Sequence, residues 1–114
     1  MIEDNIVSVG RDEAMDFLKL KLNGYRSSGR LIYIGITGDP ESRWEQHLRK
    51  GGDWMKMVLL YAAYRPDIAI DLEQDLIDYA QRCNFRLAPH NRSAGGELGR
   101  GASGLIYLYV LVGH

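Results

Sequence analysis

Glu73 carries the clearest chemical signal in the chain. In the run Leu72-Glu73-Gln74-Asp75-Leu76-Ile77 it sits four residues from both Ala69 and Ile77, on the edge of an apolar helical stripe. A carboxylate there must be paired, protonated or bound to a cation, because an uncompensated buried charge is too costly. A structural salt bridge, or an edge position that reaches water, meets the same demand. Arg43 and His47 are four apart and share one face of a helix. Arginine offers a planar donor fork suited to phosphate, although a solvated helix face shows the same spacing. Tyr33 stands beside Gly35 on an alternating strand, where half-buried packing is the usual role of a tyrosine. Asn91 lies between His90 and Arg92 in a glycine-rich stretch and suits either a site or a turn.

These residues need elements to hold them. Leu31–Ile36 alternates cleanly, with Ile32, Ile34 and Ile36 on a core face and Tyr33 and Gly35 on the other. The missing side chain at Gly35 leaves room for something to approach the backbone beside Tyr33. Asp39 as N-cap, Pro40 at the first helical position and Glu41 in the first turn start a helix that runs to Lys50, where Gly51-Gly52 stops it. Met55–Tyr64 reads as a strand and Asp67–Arg82 as a helix. Asp12–Lys21 reads as a short helix, with a strand over Phe17–Leu22 as the alternative, and Gly24–Gly29 as a turn. Cys83–Ser103 is a long loop, and Gly104–Val112 a last strand with Ile106, Leu108, Val110 and Val112 facing one way and Tyr107 and Tyr109 the other. Four apolar residues at period two need a core to cover, so this strand belongs inside the sheet, next to the strand of Tyr33. One of its tyrosines should then share a pocket with Glu73 and Arg43.

The 114 residues suit a single domain spanning 1–114, with an ordinary globular composition of 46% hydrophobic and 25% charged residues. Cys83 is the one cysteine, which excludes an intrachain disulfide and a cysteine-based zinc site. No apolar run approaches the roughly 20 residues of a membrane helix. The acidic Met1–Asn5 lacks the apolar stretch of a signal peptide, so a reducing, cytoplasmic setting is expected. A net charge of −1 argues against a protein held on nucleic acid by charge alone. The charge is nevertheless segregated: residues 23–58 carry a net +2 and 79–114 a net +3, against −2 over 1–22 and −4 over 59–78.

Tyr33-Ile34-Gly35 followed by Asp39-Pro40-Glu41-Ser42-Arg43-Trp44-Glu45-Gln46-His47 resembles the second half of the GIY-YIG nuclease signature. In that family an arginine follows the YIG tyrosine by ten residues, as Arg43 follows Tyr33, and the homing-endonuclease branch has a histidine four further on, as at His47. The helix holding Leu72–Ile77 resembles the one that supplies the metal-binding glutamate, and Asn91 stands where the family often has an asparagine. The resemblance covers residues 31–91. The family's first motif, a Gly-x-Tyr strand about ten residues before YIG, has no counterpart upstream. Gly104-Leu105-Ile106-Tyr107 in the C-terminal strand is one candidate to fill its place in a permuted sheet; the alternative is an extra C-terminal strand, with a divergent first strand near Phe17–Leu22 and no first tyrosine.

The resemblance implies an α+β fold, a small antiparallel or mixed sheet flanked by helices. It also implies a divalent-metal-dependent endonuclease that hydrolyses phosphodiester bonds in DNA. Glu73 would hold one Mg²⁺ or Mn²⁺ ion. Tyr33, helped by His47 or Tyr107, would orient the attacking water. Arg43 would stabilise charge on the phosphorus, Asn91 would support the metal shell, and Arg86, Arg92 and Arg100 would track the DNA backbone. So little positive charge calls for a homodimer or a targeting partner. Two other readings remain open: a catalytically weak GIY-YIG-like module that binds nucleic acid or a protein, and an unrelated α+β domain in which Glu73 pairs with Arg43.

Overall fold

The computed structural model describes residues 1–88 and 104–114. The elements follow as β1 (Ile2–Asp4), α1 (Arg11–Arg26), β2 (Ile32–Thr37), α2 (Pro40–Arg49), β3 (Trp54–Ala63), α3 (Pro66–Arg82) and β4 (Ile106–Gly113). The fold is α+β, a mixed four-stranded open sheet in the order β1-β3-β4-β2 with helices on both faces. β4 is antiparallel to both β2 and β3, and β1 runs parallel to β3.

The alternation along β2 and β4 divides the core in two. Ile32, Ile34, Ile36, Leu108, Val110 and Val112 face α1 and α3, joined by Ala14, Leu18 and Leu22 from α1 and Leu72 and Leu76 from α3. The other face carries Met57, Leu59, Tyr109 and Leu111, with Tyr33, Trp44, Trp54 and Tyr107 packed around them. That face is covered by α2. Its start is built as the sequence predicts: the Asp39 side chain accepts a hydrogen bond from the Ser42 N–H at 3.2 Å, and Pro40 opens the helix.

The last strand is interior, as its apolar alternation requires: Val110 and Leu111 are fully buried. Other expectations change. The stretch Phe17–Leu22 is helical, not a strand, and α1 continues through Gly24 to Arg26 where a turn was expected. Burial of Ala14, Leu18 and Leu22 against α3 outweighs the cost of about 1 kcal/mol for an internal glycine. β1 has no counterpart among the expected elements. It is held by pairing with β3, by Asn5 N–H donating to Leu59 O at 3.0 Å, and by a Lys56–Glu3 ion pair at 2.8 Å. Part of the expected long loop is anchored as well: Ile32 N–H donates to Arg86 O and Ala88 N–H to Ile32 O, both at 2.9 Å. Asn91, Arg92 and Arg100 lie outside the described residues.

Candidate functional site

The β2–β4 register places Gly35 opposite Tyr109 and Tyr33 opposite Leu111. Because Gly35 has no side chain, the Tyr109 ring crosses over the β2 backbone. A Cβ at Gly35 would lie 2.6 Å from the Tyr109 Oη and 3.0 Å from Tyr33 Cε1. The gap expected beside Tyr33 is therefore filled by Tyr109. Its hydroxyl lies 2.9 Å from His47 Nε2, and the two side chains are 1% and 5% exposed. In one tautomer the phenol donates to an unprotonated Nε2; in the other the Nε2–H donates to the phenol oxygen.

Tyr33 sits at the centre of an aromatic group. Its ring meets the His47 imidazole edge-on at 5.0 Å between centroids, Tyr109 at 6.2 Å and Trp54 at 6.5 Å. Such offset and edge arrangements add to the burial of each ring and fix its orientation. Tyr33 itself is only half-buried, so the cluster is open on its side. Arg43 lies one turn before His47 on the same helix and is also half-buried.

Trp54 reaches this face through a bulge. The β3–β4 register shifts between Trp54 and Lys56, so Trp54 and Met57 lie in the same cluster despite their odd spacing. A second shift between Leu59 and Tyr61 turns Tyr61 toward the α1/α3 face, where its hydroxyl donates to Val9 O at 3.0 Å.

Glu73 is 2% exposed on α3, more enclosed than the stripe-edge position expected from the sequence. It is the only buried carboxylate among the described residues. It belongs to the helix layer across the sheet from α2, and its helix packs against the edge strand β2 that carries Tyr33. Tyr107, the first candidate for the missing tyrosine, takes a different place. It lines a cavity of about 580 Å³ with Asp4, Asp39 and Glu41. Tyr109 is the tyrosine of β4 that meets Tyr33 and His47. The signal that separates the two is register, because only Tyr109 lies opposite a glycine. No sequence signal marks Trp54, since the Gly51-Gly52 pair before it reads only as a helix stop. Arg86 is exposed, and its Nη1 donates to His114 O at 2.8 Å and Gly29 O at 3.4 Å, which ties the chain end to the loop before β2.

No protein-family model, curated protein or solved structure matches the chain. Among the described residues no helix is long and apolar enough to cross a membrane.

Proposed function

We propose that this protein is a divalent-metal-dependent endonuclease of the GIY-YIG type that hydrolyses phosphodiester bonds in DNA, with its C-terminal strand in the place of the family's first strand. The observation that carries this reading is the buried Tyr109–His47 contact at 2.9 Å beside the Tyr33 ring, assembled by the pairing of β4 with β2. Two tyrosines on adjacent strands and a histidine on the following helix are the groups the resemblance calls for.

Among the described residues no three acidic, histidine or cysteine side chains converge. Mg²⁺ commonly takes one or two carboxylates and completes its shell with water and substrate phosphate, so such an ion would rest on a single protein carboxylate. The resemblance assigns such an ion to Glu73, which stands in the helix layer across the sheet from Tyr33 and His47; a bound ion would supply positive charge to a phosphate, and the steps that follow belong to the chain's own residues. Tyr33, open to solvent on one side and oriented by His47, positions the attacking water. Tyr109 holds the His47 ring in place through its hydroxyl. Arg43 supplies a guanidinium for the charge that develops on the phosphoryl oxygens.

A second reading, a catalytically weak module that binds nucleic acid, is favoured by the near closure of Glu73. The test is nicking of supercoiled plasmid with Mg²⁺ or Mn²⁺, beside Glu73→Gln, which preserves volume, and circular dichroism of both proteins. Metal-dependent nicking that disappears in a folded Glu73→Gln supports hydrolysis. No nicking by the wild type with either ion, or full activity in the variant, overturns it.

A further inference from the structure

We propose that the cavity beside Trp54 is a nucleobase subsite, taking one unpaired base of the substrate next to the reacting phosphate. The inference rests on the reading of the protein as a nuclease for its position along a strand, but the pocket itself is argued from its own geometry. It is lined by Leu31, Asp53, Trp54, Arg86, Ala88 and His114, whose Nε2 lies 3.9 Å from Asp53 Oδ1, and it measures about 290 Å³. That is at the small end of ligand sites, a size for a single ring system.

Its walls suit a base. Leu31, Ala88 and the Trp54 indole provide apolar surface, and a tryptophan face is a stacking platform for any base. Arg86 and Asp53 place a donor and an acceptor at the rim, the two kinds of group that read the edge of a heteroaromatic ring. Among the described residues the Arg86 guanidinium is oriented by Nη1, which donates to Gly29 O and His114 O.

The indole is also pre-positioned. A Cβ on Gly52 would collide with the Trp54 Nε1, and one on Gly113 would lie 3.2 Å from Cε3. The two glycines thus leave room for the indole where a side chain would displace it. The β3 bulge then turns it toward Tyr33, 6.5 Å away between centroids. A base stacked on Trp54 would be adjacent to Tyr33, where the hydrolytic reading places the attacking water. A rigid platform costs little ordering entropy on binding.

The test reads tryptophan emission in the full chain carrying Trp44→Phe, so that Trp54 is the sole reporter, in chelator so that nothing is cleaved. Deoxyadenosine monophosphate should quench the emission saturably, and deoxyribose 5-phosphate should bind at least roughly tenfold more weakly, because it lacks the stacking face. Ala88→Leu, which fills the cavity, should weaken the nucleotide by a similar factor. Equal quenching by the sugar phosphate, or none by any of the four deoxynucleotides, overturns the subsite. So does an unchanged affinity in a folded Ala88→Leu; if that variant does not fold, the comparison of base with sugar phosphate decides alone. Plasmid nicking without base-dependent quenching refutes the subsite and spares the hydrolytic reading. Quenching without nicking does the reverse.

Discussion

Gly35→Ala should destabilise this protein far more than its single methyl group implies. The new Cβ would lie 2.6 Å from Oη and 2.7 Å from Cζ of Tyr109. The Tyr109 ring is 1% exposed and held at its far end by His47, so it has no free rotamer to retreat into. Overpacking of this kind costs about 1–3 kcal/mol. If the ring moves, the 2.9 Å contact with His47 is lost, which costs about 0.5–1.5 kcal/mol more. Against this stands a gain of roughly 0.5–1 kcal/mol for replacing glycine by alanine in a strand. The net of about 0.5–4 kcal/mol is a sizeable share of the ordinary stability of about 5–15 kcal/mol. Each kcal/mol lowers the midpoint of a domain this size by roughly 3–6 °C. Thermal unfolding followed by circular dichroism measures the effect, and a double-mutant cycle isolates its cause. In a Tyr109→Leu background only the 3.0 Å approach to Tyr33 Cε1 remains, and Gly35→Ala should cost much less. An unchanged midpoint for the single variant, or the same loss in both backgrounds, would refute closure of Tyr109 over Gly35.

Asp39→Ala removes the acceptor for the Ser42 N–H and should cost about 0.5–2 kcal/mol in urea denaturation, whereas Asp39→Asn should cost much less. The hydrogen bond to Glu3 raises the Lys56 ammonium above its usual pKa of 10.5. A raised folded value means the contribution is full below the unfolded pKa and lost as pH rises through the folded one. Stability should therefore fall in the strongly alkaline range, and Lys56→Met should flatten that part of a pH series of denaturation curves. If the protein cleaves DNA as proposed, Arg43→Ala should lower the maximal rate at saturating DNA by roughly 100-fold while changing affinity less. An equal loss in binding with an unchanged maximal rate would make Arg43 a simple phosphate anchor.

Where local chemistry is strong, the sequence alone settles the structure. The Asp39-Pro40 start and the Gly51-Gly52 stop bracket α2 almost to the residue, because caps, proline and glycine act within one turn. The isoleucine alternation of β2 and the aliphatic alternation of β4 determine which faces are core, since a strand's side chains have a period of two. The apolar content of β4 also requires an interior position, which it holds between β3 and β2. Tertiary structure decides the rest. β1 is three residues long and exists through its pairing with Met57–Leu59. α1 passes through Gly24 because its buried stripe packs on α3. The bulges of β3, which turn Trp54 toward Tyr33, leave no mark on hydrophobic periodicity. The choice of Tyr109 over Tyr107 is the sharpest case. Both tyrosines lie on the same face of one strand, and only the register across to β2 sets Tyr109 opposite Gly35 and within reach of His47, 62 positions earlier in the chain. Register arises from how two distant strands bury their faces together, so no local signal in either strand carries it.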